Sequence, residues 1–432
     1  MKNTIKKIIG RGPLKAYHSV RSEIVSRQFG RPAKQMQVIG ITGTNGKTTT
    51  ANLISSIFET AGYRVALLTT IQFRINGEEV VNGQKMTAPS PRILNQFLAK
   101  ARDAGCNLFI VEATSHALDQ HRFAGIKFDC GVLTNITHDH LDYHGTFDRY
   151  VAAKRQLFND LRLSVVNLDD PNGAEFNDLP ADLHIPYSRD VTKQHALALS
   201  EVTAQDGYST LTFNLPNSNS QLQVNTRLVG QFNWQNIMAA VAVALGFGIP
   251  THIIQNGIAK MTAVPGRMQK VECGQPFTVI IDYAHTPDAL EKMYDALKPV
   301  QNDGAILSVL GACGERDVTK RPILGQIAGR EAKYVVITNE DPYSEDPQSI
   351  IDSVASGIEK DNPRQSEGVT YWRTLDRRAA IRHAFSLAKP NDVVTITGKG
   401  AETAMAVKGE FVPWSDKEVV IEELVRAGYG NR

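Results

Sequence analysis

Apolar and polar positions along the chain follow two periods, and the change from one to the other recurs down its length. Val38-Ile39-Gly40-Ile41 is a short uninterrupted apolar run, after which Leu53, Ile54, Ile57, Phe58 and Ala61 return at helical spacing. Leu108-Phe109-Ile110-Val111 is a second such run, the pattern of a strand covered on both faces. Arg64–Leu68 and Gly131–Asn135 read as further strands, and 71–88 as an excursion turning at Asn76-Gly77. Phe147, Tyr150, Val151, Leu157, Phe158 and Leu161 mark a helical stripe. Between 162 and 228 the alternation weakens and predicts peripheral strands. After Pro265-Gly266 it resumes, with strands expected at Phe277–Ile281, Ala305–Leu310, Tyr334–Thr338, Val369–Trp372 and Val393–Thr397. Ile350, Ile351, Val354, Ala355 and Ile358 form a helical stripe among them. The whole predicts an α/β protein with mainly parallel sheet flanked by helices. Its parts are a basic helical segment 1–35, a central domain 36–265 and a second α/β domain 266–432.

Composition narrows the class. In 432 residues, 42% are hydrophobic and 21% charged, the profile of a soluble globular protein. A net charge of +2 gives no footprint for nucleic acid. Cys106, Cys130, Cys273 and Cys313 are scattered without a CxxC pair, as expected for a reducing cytoplasm. No apolar run reaches membrane-spanning length, and no signal peptide is recognisable. The one asymmetry is in 1–35, with nine Lys/Arg and one acid, Glu23. Leu14, Tyr17, Ile24, Val25 and Phe29 could give this segment an apolar side. It is either a solvated basic helix packed on the next domain or a surface for an anionic substrate or membrane lipid.

The chemistry begins where the first apolar run meets the first helix. Gly43-Thr44-Asn45-Gly46-Lys47-Thr48-Thr49 is a glycine loop opening a helix. Glycines let backbone N–H groups approach phosphate oxygens, and the helix dipole favours an anion. Lys47 would reach the β- and γ-phosphates and Thr48 would face Mg²⁺. The general phosphate-loop pattern wants a glycine five residues before Gly46, where this chain has Ile41. Glu112, at the end of an apolar run, is a candidate Mg²⁺ ligand or a helix-start carboxylate. His138-Asp139-His140-Leu141-Asp142-Tyr143-His144 packs imidazoles and carboxylates that could bind metal or phosphate. Ser115-His116 with Asp139 lacks the G-x-S-x-G elbow of a hydrolase. Lys154 falls inside the apolar stripe of its helix. It either snorkels to water or is buried with a lowered pKa, leaving a neutral amine that can take up CO₂ as a carbamate.

These segments resemble the Mur ligase family, and within it the MurE-type tripeptide synthetases. The phosphate loop, Glu112-Ala-Thr-Ser-His-Ala-Leu118, Thr134–Gly145 and Ala152-Ala-Lys154 carry the likeness. So do Leu228–Asn236, Val264-Pro-Gly-Arg-Met268, Ile281–Leu290, Gly314-Glu-Arg-Asp317 and Lys320-Arg-Pro322. The resemblance implies a central ATPase domain and a Rossmann-like C-terminal domain that brings an amino acid. It implies that Gly43, Thr44, Asn45, Gly46, Lys47, Thr48 and Thr49 bind ATP, together with Asn233 and Asn236 near adenine and Arg267 and Asp282. Two Mg²⁺ ions are implied, one on Thr48 and Glu112, the other on His140 and N6-carboxylated Lys154. Thr87, Ser115, His116 and Arg122 would face the acceptor, and Arg316, Glu340, Asp341, Tyr343, Gly398 and Glu402 the amino acid.

Two departures shape the expected substrates. Family members carry a UDP-binding domain before the phosphate loop, whereas 35 residues precede it here, fewer than the ~50 a domain needs. The family's Asp-Asn-Pro-Arg signature is Glu340-Asp341-Pro342-Tyr343, and its Gly-Lys-Gly-His-Glu is Gly398-Lys399-Gly400-Ala401-Glu402. The arginine that pairs with the distal carboxylate of diaminopimelate is thus a tyrosine beside two acids, which points to a cationic amino acid, lysine first. The expected protein is a cytoplasmic monomer adding that amino acid to a muramoyl-peptide carboxylate through an acyl phosphate. A folylpolyglutamate-type ligase and a non-catalytic ATP-binding subunit are the alternatives.

Overall fold

The computed structural model describes residues 11–79, 89–193, 195–205, 208–228, 230–298, 303–361 and 365–430. Thr87 lies outside them. The chain divides into two compact units, Met1–Leu228 with Phe232–Thr262, and Val229–Gln231 with Ala263–Arg432. Among the described residues the first unit holds an eight-stranded sheet of β1 (Gln37–Thr42), β2 (Val65–Leu68), β3 (Phe73–Ile75), β4 (Glu78–Glu79), β5 (Leu108–Glu112), β6 (Cys130–Leu133), β7 (Leu161–Val166) and β8 (Ala181–His184). Their order is β4-β3-β2-β5-β1-β6-β7-β8. From β2 to β8 every neighbouring pair is parallel. β3 and β4 close an antiparallel edge through Asn76 and Gly77, both at positive φ, as a two-residue hairpin turn needs.

The apolar runs of β1 and β5 are buried throughout because both strands lie mid-sheet beneath helices. Ile41 pairs with Glu112 and Thr42 with Leu133, so β1, β5 and β6 end side by side. Loops after such ends line the ligand crevice of parallel sheets. β7 corrects the expectation that only peripheral strands follow residue 162: it is almost wholly buried and pairs with β6. Arg162 and Ser164 blunt its apolar signal in the sequence. Beyond it, β9 (Tyr187–Ser188), β10 (Leu197–Gln205), β11 (Tyr208–Asn214) and β12 (Gln221–Thr226) form a small sheet ordered β12-β11-β10-β9. Helix Arg11–Gln28 packs against helix Pro91–Asp103 with Ser22 and Ser26 inward, while Tyr17 and Ile24 are exposed. Of the residues expected to form its apolar side, Val25 and Phe29 are half-buried, whereas Tyr17 and Ile24 face outward.

The second unit is built on β13 (Gln269–Val271), β14 (Thr278–Asp282), β15 (Ile306–Leu310), β16 (Tyr334–Thr338), β17 (Tyr371–Thr374) and β18 (Val393–Thr397), ordered β13-β14-β18-β15-β16-β17. All but β13 run parallel. One apolar core, with Leu290, Ile327 and Val354, covers one face, and another, with Val279, Ile381 and Val420, covers the other. β17 starts two residues later than the apolar pattern predicts, because Ser366–Tyr371 is a turn around Gly368 and Val369 is exposed. A hairpin of β19 (Ala404–Val407) and β20 (Glu410–Pro413) follows.

Candidate active site

The glycine loop leaves the central strand β1 and is tied down from β6. Thr44 donates its backbone N–H to Asn135 O at 2.7 Å, and Asn45 donates its N–H to Asn135 Oδ1 at 2.9 Å. Gly46 sits at φ 86°, in the left-handed region, and a Cβ there would stand 2.3 Å from Asn236 Oδ1. Both constraints demand glycine. Helix Lys47–Thr60 begins without a side-chain cap, so the positive end of its dipole faces the loop. Lys47 Nζ curls back to donate to Gly43 O at 3.0 Å and Thr44 O at 2.7 Å. Thr48 and Thr49 are buried at the helix start. Asn236, buried against the loop at Gly46, donates to Oδ1 of the buried Asn233 at 3.0 Å.

Lys154 comes to the same loop. Its side chain is 1% exposed, and Nζ donates to Gly43 O at 2.7 Å, the carbonyl that Lys47 also uses. Burial, and then the Lys47 charge, push its ammonium well below the usual lysine range, against the weaker pull of Asp139 and Asp170. Tyr150 lies 4.5 Å beneath the nitrogen and shares a 2.9 Å hydrogen bond with Thr44 Oγ1. The helical stripe presented Tyr150 only as a core residue; its hydroxyl partner was not legible.

Glu112, fully buried at the end of β5, accepts from the Thr70 N–H at 3.1 Å and from Thr70 Oγ1 at 2.9 Å. Nearby in sequence, Ser115 and His116 open a short helix capped by Thr114. His116 lies among three rings of the polar run: its ring centre lies 4.7 Å from His140, 4.2 Å from Tyr143 and 5.5 Å from His144. Asp139 stands 3.4 Å from His140 Nε2, and His144 Nε2 is 3.0 Å from Ser115 Oγ. Arg122 joins through Gln120, which accepts from it at 2.8 Å and donates to Tyr143 Oη at 3.1 Å. The fold thus brings Ser115, His116, Arg122 and His140 into one polar group.

A second group of expected residues lies in the second unit, after the ends of its parallel strands. Asp282 accepts from the N–H groups of Met268 at 2.6 Å and Ala284 at 2.7 Å, while burial pushes its carboxyl up. Arg267 stacks 4.5 Å over the Tyr283 ring. Cys313 donates its thiol to Glu340 Oε1 at 2.9 Å; Glu340 Oε2 is buried without a hydrogen-bond partner. Burial also raises the Glu340 pKa. Gly398, at φ 102°, lies so close that a Cβ would be 2.1 Å from that free oxygen. Arg316 lies 5.4 Å from the Tyr343 ring and 3.5 Å from its hydroxyl.

Asp341 corrects one expectation. Its carboxylate is already matched: Lys399 Nζ donates to both oxygens at 2.9 and 2.8 Å, and the Ala406 N–H donates to Oδ1 at 2.6 Å. Lys399 also donates to Glu402 Oε2 at 2.5 Å. Burial alone would lower its pKa, but Glu402 and Asp341 outweigh that and hold it above the usual lysine range. Asp341 is therefore the counter-ion of a buried lysine, and of the two acids in the signature only Glu340 retains an unmatched oxygen.

These side chains fit the nucleotide and metal that the sequence implies. The Gly46 turn, the uncapped helix start and Lys47 have the chemistry to hold a phosphate. Thr48 and Glu112 supply the hard oxygen donors that Mg²⁺ prefers, and Mg²⁺ takes its remaining ligands from water and phosphate. Lys154 as an ammonium cannot ligate; as a carbamate it would offer two oxygens.

Residues 41–244 match the Mur ligase middle domain and 266–400 the Mur ligase, glutamate ligase domain. The chain is 37% identical over 408 residues to the UDP-N-acetylmuramoyl-L-alanyl-D-glutamate–2,6-diaminopimelate ligase of Syntrophomonas wolfei, covering 93% of this chain and 81% of that one. It is 37% identical over 420 residues to the UDP-N-acetylmuramyl-tripeptide synthetase of a Roseiflexus species, with the same coverage. A solved UDP-N-acetylmuramoyl-L-alanyl-D-glutamate–2,6-diaminopimelate ligase superposes with a TM-score of 0.63 at 28% identity, over 95% of this chain and 83% of that one. Mycobacterium tuberculosis folylpolyglutamate synthase shares the fold, with a TM-score of 0.72 at 19% identity over 88% and 92% of the two chains.

Proposed function

The chain belongs to the Mur ligase family, ATP-dependent ligases that form amide bonds, and we propose that it extends a muramoyl dipeptide by one diamino acid in peptidoglycan synthesis. The observation that carries the reading is Lys154 buried against the carbonyl of Gly43 in the phosphate loop, beside Lys47. The unit around residues 36–262 binds ATP, and the unit from 263 onward binds the amino acid. Thr48 and Glu112 hold one Mg²⁺, and His140 with carboxylated Lys154 a second. An acceptor carboxylate oxygen attacks the γ-phosphorus, the bond to the bridging oxygen breaks, and ADP leaves. The amino acid's neutral amine attacks the acyl phosphate, phosphate departs and the amine proton goes to solvent. Lys47 neutralises charge on the transferring phosphoryl group. Among the described residues no helix is long and apolar enough to cross a membrane.

Lysine is the favoured amino acid over diaminopimelate. The Syntrophomonas relative is named for diaminopimelate, whereas the Roseiflexus relative's name leaves the residue open. Tyr343 cannot offer a carboxylate the paired N–H donors of an arginine. The free oxygen of Glu340 can accept from an ammonium, and Arg316 can take the α-carboxylate. The test is phosphate release with UDP-linked and lipid-linked muramoyl dipeptide, lysine and diaminopimelate competing at equal concentration. Release that requires both dipeptide and amino acid, with lysine incorporated in excess, is expected. Preference for diaminopimelate refutes the lysine assignment. Release with a folate acceptor and none with muramoyl dipeptide refutes the acceptor.

A further inference from the structure

We propose that the outward face of helix Arg11–Gln28 docks on an anionic phospholipid bilayer. The helix leaves part of its apolar surface outward: Val25 and Phe29 are half-buried, but a second apolar line faces away from the neighbouring helix. Its inward face carries Ser22 and Ser26, 1% and 0% exposed, and is held by contact with helix Pro91–Asp103 and by Arg102, which donates to Phe29 O at 3.3 Å. Its outward face carries Tyr17, Val20 and Ile24, which are 59%, 60% and 50% exposed. Their spacing of three and four residues puts them in one line along the helix. A helix that buries serines and presents tyrosine, valine and isoleucine to solvent forgoes hydrophobic stabilisation unless something covers that line.

Charge identifies the cover. Arg21 and Arg27 are exposed beside the apolar line. Glu23, the one acid in residues 1–35, is taken by Arg27 at 2.9 Å and Arg31 at 2.6 Å. With nine Lys/Arg to that one acid the segment is strongly positive, and the remainder of the chain is net acidic. In sequence, Lys2, Ile5, Lys6, Lys7, Ile8 and Ile9 continue the same mixture of basic and apolar residues. Interleaved basic and apolar side chains suit a headgroup layer, where arginines meet phosphates while apolar groups enter the acyl boundary. A second copy of the helix would bring like charges together. Three side chains also fall far short of the roughly 800 Å² per partner of a stable protein interface.

The full-length protein is sedimented with vesicles of phosphatidylcholine alone and of phosphatidylcholine with about one-third phosphatidylglycerol. Wild type is expected to partition at least about tenfold more strongly to the anionic vesicles, with binding weakened by added salt. Tyr17→Ser/Val20→Ser/Ile24→Ser, and separately Arg21→Glu, should each cut that binding about tenfold, with thermal midpoint and activity on soluble substrates unchanged. Equal, weak sedimentation with both vesicles overturns the proposal, as does anionic binding that the triple-serine variant retains. Self-association abolished by the serine variant, without vesicle binding, would assign the face to a second copy instead. Vesicle binding does not depend on which amino acid or acceptor the enzyme uses, so this reading and the ligase reading fail separately.

Discussion

A lysine ammonium at 1% exposure is costly unless it sheds its proton or meets a counter-charge, and Lys154 faces a carbonyl and a second lysine. With its folded pKa depressed, the unfolded chain binds the proton more tightly. For the unmodified amine, stability therefore rises with pH from the depressed folded value up to the ordinary lysine range. Thermal scans in CO₂-free buffer should show that alkaline gain in wild type and a flatter profile in Lys154→Met. Bicarbonate should replace the amine by a carbamate, visible as an added carboxyl mass on the intact protein. Lys154→Ala should lose about 10²–10³-fold in kcat, the scale of a lost metal ligand, with partial rescue by a short carboxylic acid. Rescue by a short alkylamine but not by the acid would mean that the free ammonium is the working form. The sequence announced this residue, because a charged position inside an apolar stripe is a local signal. It could not announce the role of Asp341, whose partner Lys399 lies 58 residues away and is brought to it by the fold.

Elements were legible where period and burial agree. β16 and β18 coincide with the apolar runs Tyr334–Thr338 and Val393–Thr397. β17 starts later than its apolar run because a polar turn precedes it, and the split of helix Arg11–Gln28, with Val25 and Phe29 half-buried and Tyr17 and Ile24 outward, is not legible because amphipathicity does not say which face a neighbour covers. Also hidden was the tie between helices Arg377–Leu387 and Asp416–Arg426 in the second unit. Arg377 donates to Asp416 at 2.8 and 2.7 Å and to Thr397 O at 2.8 Å, with both charges buried; Trp414 Nε1 donates to the same carboxylate at 2.8 Å. A buried pair costs desolvation on both sides, so its removal as a unit is mild, whereas a lone survivor is not. Asp416→Asn should destabilise this unit by about 3–5 kcal/mol, and Arg377→Met/Asp416→Leu by clearly less. Urea titration followed by tryptophan fluorescence measures both. Equal losses would mean that packing of the helices, not the stranded charge, sets the cost.

At the scale of the whole chain, the expected residues fall into two groups on two compact units: phosphate loop, Lys154 and histidines in the first, Arg316, Glu340 and Tyr343 in the second. If the units divide the reaction as proposed, damage to each should stop a different step. Lys47 neutralises the phosphoryl group, so Lys47→Ala should lower acyl-phosphate formation about 10²–10³-fold. That step can be read without any amine, as scrambling of an oxygen isotope from the β–γ bridge of ATP in the presence of the muramoyl acceptor alone. Arg316 would hold only the amino acid. Arg316→Ala should leave the scrambling rate near wild type and raise the KM for the amino acid about tenfold to a hundredfold, the range for losing a charge-assisted hydrogen bond. The Arg316 guanidinium stacks near Tyr343 without filling a core, so its removal tests binding rather than folding. Loss of scrambling in Arg316→Ala would place that residue in phosphoryl transfer and break the division. Normal scrambling in Lys47→Ala would remove the glycine loop from the chemistry, whatever its resemblance to a phosphate site.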